Sequence, residues 1–213
     1  MTRTEAAPAA NLADRAYAAL SRMIRDRTLR PREPILEAPL AERLDVSRTP
    51  LREALQRLEG ENLVVKGGGR SYVVRGVDLA EYLHSLRTRE VIEPEAAVLA
   101  AGRIDPGAVA AVRDGIAALE AGYTRAGHWA SDAAVHELFL RRCHNPVMAG
   151  IVRSLRATTH LFEIDRLSDR LGPDNTEHKL ILDALEAGDA RAVRRAVAAH
   201  IRSLHRFAVS ELA

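Results

Sequence analysis

Asp132 and His136 stand four residues apart in a stretch of helical periodicity, so both side chains leave one helix face toward a common point. A carboxylate and a neutral imidazole placed this way can ligate a divalent metal. The alternative for a histidine on an apolar helix is a core residue satisfied by hydrogen bonds. His178, expected to open a later helix, and His200, in the middle of the last one, offer the same chemistry, but spacing alone does not join the three segments. A second group, Arg48, Thr49, Arg52 and Gln56, lies on the outward side of a short predicted helix near the front of the chain. An arginine fork can pair bidentately with guanine O6 and N7, and hydroxyls and helix N-terminal amides hold phosphates. The alternative there is an ordinary solvated helix face.

The chain that must position these groups has 213 residues, 47% hydrophobic and 28% charged, which suits one large or two small folded domains and excludes a disordered or collagen-like chain. Its single cysteine, Cys143, cannot close an intrachain disulfide, and no secretory leader opens the sequence, so a cytoplasmic location is expected. No apolar run approaches the roughly 20 residues of a membrane-spanning helix. Charge is uneven: residues 1–75 hold 14 Lys+Arg against 10 Asp+Glu, a net of +4, whereas residues 76–213 hold 17 against 19, a net of −2. A basic front is compatible with nucleic-acid binding.

Residues 1–10 read as a flexible arm. A helix is expected from Asn11, as cap, until Leu29, Arg30 and Pro31 stop it, followed by a short helix over Ala38–Leu44 and a turn at Asp45–Ser47. Ser47 is expected to cap a third helix with Pro50 in its first turn and Leu51, Leu55 and Leu58 as its inward stripe. Leu63–Val65 and Ser71–Val74, joined by Lys66, three glycines and Arg70, read as a hairpin with a basic tip. Three helices and a hairpin make a winged helix-turn-helix over residues 11–75. The rest, 76–213, is expected to be an all-α bundle with helices near 78–102, 106–122, 129–144, 147–167, 175–187 and 190–211, kinked at Pro94. The expected fold class is therefore mainly α.

The stretch Val46-Ser47-Arg48-Thr49-Pro50-Leu51-Arg52-Glu53-Ala54-Leu55 resembles the recognition segment of the GntR family of bacterial transcription regulators. The resemblance implies that Arg48 and Arg52 reach base edges or phosphates of an operator and Thr49 the backbone. It also implies that Gly68, Gly69 and Arg70 of the wing approach the minor groove. Two positions depart from the pattern: Asn62 stands where the family usually has glycine, and Ala38 where several members have arginine. Asn tolerates a left-handed backbone; alanine removes one contact.

In the second part, Asp132-x-x-x-His136, Asn145-Pro146, Glu177-His178 through Leu185, Gly188-Asp189 and His200 together resemble the helical FCD-type effector domain of the FadR subgroup. The resemblance implies that Asp132, His136, His178 and His200 bind a divalent metal (Zn, Ni, Mn or Fe), which helps hold a small carboxylate effector. It implies a homodimer as well. Arg89 resembles the subgroup's pocket arginine, so a carboxylate clamp and a surface ion pair with Glu93 both stay open; Arg156 is a further effector candidate. His128 reads as structural or exposed, and His144 as a helix C-terminal residue. The expected function is a ligand-responsive DNA-binding regulator, most readily a repressor of a catabolic or transport operon. A metal-dependent hydrolase using the three histidines and the aspartate is the alternative, although no nucleophile, metalloprotease motif or phosphate loop accompanies them.

Overall fold

The computed structural model describes residues 9–68, 71–162 and 167–210. The chain divides between Val77 and Asp78 into two compact units. In the first, α1 (Ala9–Arg25) lays Ala13, Ala16, Leu20 and Ile24, at helical spacing, against the buried Leu51, Ala54, Leu55 and Leu58 of α3 (Arg48–Gly60). Helix α1 begins two residues before Asn11, which is thus not its cap, and it ends at Arg25 rather than near Arg30. Arg27 turns the chain away with a left-handed φ of 59°. Helix α2 (Glu37–Arg43) buries Leu40 and Ala41, and Asp45, with φ of 50°, makes the tight turn into α3. Ser47 holds the cap position, but its side chain makes no capping bond, contrary to expectation; Pro50 is tolerated because first-turn amides have no helical acceptor.

The hairpin forms from β2 (Val64–Lys66) and β3 (Tyr72–Val74), in antiparallel register Val65↔Val73. A third strand, β1 (Pro34–Ile35), pairs with the other side of β3, giving the order β1-β3-β2. The sequence reading has no strand here, because a strand of two residues has no periodicity to detect. Proline is compatible with such an outer strand, where a missing N–H costs no ladder bond. Asn62 adopts φ of 64°, so asparagine supplies here the left-handed turn that glycine would otherwise make.

The second unit is all helical: α4 (Leu79–Ala100), α5 (Pro106–Ala121), α6 (Arg125–Leu140), α7 (Pro146–Leu161), α8 (Leu171–Glu186) and α9 (Ala190–Ser210). Its core runs through Ala96, Ala97, Val135, Phe139, Val152, Ile181, Leu182 and Val197 of α4, α6, α7, α8 and α9. Side-chain caps set the starts: Asp78, Asp105, Thr124 and Asn145 each accept an amide of the following turn. Two starts differ from the sequence reading. Thr124 starts α6 four residues early, with Gly127 inside its first turn. Helix α8 starts at Leu171, so Gly172 and Pro173 sit in its first turn instead of preceding it. Helix α4 continues through Pro94. His144 lies past the end of α6 with φ of 53°, so it is a loop residue and not the helix terminus.

Candidate functional site

Helices α6, α8 and α9 bring Asp132, His136, His178 and His200 to one place, all buried, with one potential ligand atom from each within 4.8 Å of the others. Asp132 Oδ1 is the common point, 3.6 Å from His136 Nε2 and 3.7 Å from His178 Nε2. Its other oxygen accepts from Arg156 Nη2 of α7 at 2.6 Å. The ring centroids of His178 and His200 are 4.7 Å apart, and those of His136 and His200 5.4 Å.

Five imidazole nitrogens in this cluster, both of His136, both of His178 and Nε2 of His200, are buried without a hydrogen-bond partner. Buried polar atoms are normally satisfied, since each orphan costs roughly 1–3 kcal/mol. Three imidazoles and a carboxylate with free lone pairs converging on one point fit a divalent transition metal, which would satisfy several at once.

Electrostatics agree with neutral rings around an ionised acid. Burial, with the Arg156 guanidinium alongside, lowers the His136 pKa to about 4, and burial with His200 nearby takes His178 well below its ordinary value. Burial opposes ionisation of Asp132, but the Arg156 guanidinium outweighs it and holds the acid well below the usual carboxylate range. The folded His136 thus takes up its proton at lower pH than the unfolded one, and between about pH 6.5 and 4 the unfolded chain binds more protons. Acidification through that window should destabilise the metal-free second unit, by about 2 kcal/mol at pH 5 from His136 alone. Urea unfolding in chelator at pH 7.5 and pH 5 tests this; equal midpoints would contradict it.

Around the cluster lie residues that periodicity does not single out. Arg89 of α4 donates from Nε to Glu93 Oε1 at 2.5 Å, so the sequence-level ion pair forms, though in the interior and not on the surface. Arg89 Nη1 donates to Thr159 Oγ1 at 2.8 Å, and its Nη2 has no hydrogen-bond partner. The Tyr82 hydroxyl, also buried and unpartnered, stacks its ring on Phe162 at 4.5 Å. His128 is buried, with Nε2 2.9 Å from Asp174 Oδ2. Asp174 joins the site because α8 starts early, and Glu177 stands one turn further along the same helix; Asp174-x-x-x-His178 repeats the spacing of Asp132 and His136, the one signal that could have found Asp174.

On the first unit, Arg48, Thr49 and Arg52 are exposed on α3. Arg52 is not free: its Nε donates to Glu37 Oε2 at 2.7 Å. Gly68 is exposed at the hairpin tip, its carbonyl accepting from Ser71 Oγ at 2.9 Å, while Gly69 and Arg70 lie outside the described residues.

A winged helix-turn-helix followed by a helical bundle with a polar interior defines a DNA-binding transcription regulator with an effector domain, and known proteins agree. Residues 12–74 match the gntR family of bacterial regulatory proteins, and residues 84–203 match the FCD domain. The Nta operon transcriptional regulator of Aminobacter aminovorans is 30% identical over 191 residues, covering 86% of this chain and 91% of that protein. Among solved structures, McbR/YncC of E. coli superposes with a TM-score of 0.78 at 21% identity, over 95% of this chain and 99% of that one. A Rhodococcus sp. RHA1 protein described as a GntR transcriptional regulator superposes with a TM-score of 0.74 at 25% identity, over 93% and 97%. The chain belongs to the GntR family, and its FCD domain is consistent with the FadR subgroup. It is a transcription regulator and not the hydrolase considered above.

Proposed function

We propose that this regulator is a repressor of a catabolic or transport operon, released from a palindromic operator when a small carboxylate binds near a divalent metal in the helical unit. The observation that carries this reading is the buried cluster of Asp132, His136, His178 and His200 with its unpartnered nitrogens, flanked by two buried arginines. A metal held there would supply Lewis acidity toward ligand oxygens. Arg89, through its unpartnered Nη2, and the Tyr82 hydroxyl would donate to a carboxylate, and Arg156 would keep Asp132 ionised and oriented. That a relative is named for an operon supports an operon-level role.

In this reading residues 11–75 bind DNA, residues 76–213 hold ligand and metal and pair two chains, and the protein works in the cytoplasm. Among the described residues no helix is long and apolar enough to cross a membrane. Two recognition helices related by a two-fold axis would read half-sites of one palindrome, with Arg48 and Arg52 at base edges or phosphates, Thr49 on the backbone and the wing residues Gly68, Gly69 and Arg70 at the minor groove. Effector binding would act through its differential affinity for two dimer geometries, about 1–3 kcal/mol in typical couplings.

Sequencing of genomic fragments retained by the purified protein at about 150 mM salt tests the reading, since non-specific binding fades there. Enrichment of a few intergenic fragments sharing a palindrome is expected; random recovery would refute it. On the recovered operator, Arg48→Ala should cost about 1–3 kcal/mol of specific affinity with the fold intact. Arg52→Ala should cost a similar amount, and unchanged affinity in both would remove the assignment of α3.

A further inference from the structure

Two of the clustered histidines are backed by a carboxylate, and each carboxylate is backed by an arginine. Glu177 Oε2 lies 2.8 Å from His200 Nδ1 and accepts from Arg170 Nη2 at 3.0 Å. On α4, Glu93 Oε2 lies 2.7 Å from His136 Nδ1, a short contact off the hydrogen-bond line, while Oε1 is held by Arg89. In both cases the opposite nitrogen, Nε2, has no hydrogen-bond partner, and His136 Nε2 faces Asp132.

We propose that Glu177 and Glu93 are positioning residues for the metal centre: Glu177 accepts a hydrogen bond from Nδ1–H of His200, Glu93 stands against Nδ1 of His136, and each favours the tautomer that aims Nε2 into the cluster. This rests on the metal-centre reading above. An imidazole's second nitrogen decides which nitrogen carries the lone pair and how the ring is turned, and partners of this kind typically change metal affinity by about 10–100-fold. The arginines complete each arrangement by holding the carboxylate ionised. Burial disfavours charge on Glu177, and the hydrogen bond from His200 with the charge of Arg170 outweighs it.

Asp174, Glu177 and His200 also bring potential ligand atoms within 4.8 Å of one another, which raises a second metal as the competing use of Glu177. The bonding argues against it. Arg170 already fills the cation position, donating to Asp174 Oδ1 from two nitrogens and to Glu177 from Nη2, and the other Asp174 oxygen is taken by His128. The carboxylates there are satisfied, whereas Nε2 of His200, on the far side of the ring, is not.

The test is the full-length protein, wild type against Glu177→Ala and Glu177→Gln, titrated with Zn²⁺ against a competing chelator, with the visible spectrum of the Co²⁺ form as a second readout. Glu177→Ala should bind Zn²⁺ about 10–100-fold more weakly and shift the Co²⁺ bands. Glu177→Gln, whose amide oxygen still accepts from Nδ1–H, should recover most of the affinity and the wild-type bands. Histidine ¹⁵N shifts of the metal-free proteins should show the Nδ1–H tautomer of His200 in the wild type and a mixture in Glu177→Ala. If Glu177→Ala fails to fold, Glu177→Asp, whose shorter arm withdraws the carboxylate, takes its place. Wild-type affinity in the variant would overturn the positioning role while leaving the metal centre standing. Failure of the wild type to bind Zn²⁺ would overturn the metal centre and this inference with it.

Discussion

Glu93→Leu should destabilise the metal-free helical unit by about 3–5 kcal/mol, because it strands the Arg89 guanidinium in the interior. Both partners are almost wholly enclosed, with side-chain exposures of 1% for Arg89 and 0% for Glu93. Water cannot replace the lost carboxylate there, and Thr159 satisfies one N–H but neutralises no charge. The same carboxylate touches His136 Nδ1, so its removal also frees a buried ring. Urea unfolding of the single variant, beside the double variant Arg89→Met/Glu93→Leu, separates charge from packing. The double variant should recover much of the loss, since replacing a buried ion pair by apolar groups of similar volume is often neutral or better. A loss below about 1 kcal/mol in Glu93→Leu would mean that the pair is hydrated and the enclosed geometry wrong.

The second large effect concerns the metal. His136→Ala and His200→Ala should each reduce metal content from one ion per chain toward none, measured by elemental analysis after dialysis, because each deletes one of four converging donors. Wild type at a free metal concentration of 100 Kd should gain about 2.7 kcal/mol in stability, and the variants nothing. His144→Ala, altering an exposed loop residue, should retain both properties. Wild-type metal content in both cluster variants would place the ion elsewhere.

How far the sequence reveals these features depends on the kind of signal each leaves. The winged helix was readable because an early proline and a leucine stripe coincide within a dozen residues of α3 and a hairpin pattern follows, each with a local physical cause. The Asp132 and His136 pair was readable for the same reason, as a spacing within one helix. What joins it to His178 and His200 is tertiary packing, which periodicity does not encode; only the resemblance connected those segments. Asp174 was lost through a boundary error: Gly172-Pro173 reads as a break, yet proline in a first turn does not obstruct a helix, and α8 begins before it. The i, i+4 pair of Arg89 and Glu93, one of two readings left open and expected at the surface, forms in the interior; burial of a charged pair on α4 leaves no trace in its own sequence, because the enclosing side chains come from other helices.

The small sheet of the first unit has one more consequence. Its rims are strands of two and three residues, one beginning with Pro34 and the other ending with Lys66. A proline offers no N–H to an incoming strand, and a lysine on a rim opposes close approach of a second basic wing. Two copies meeting at their hairpins therefore find little free edge on which to extend a shared sheet.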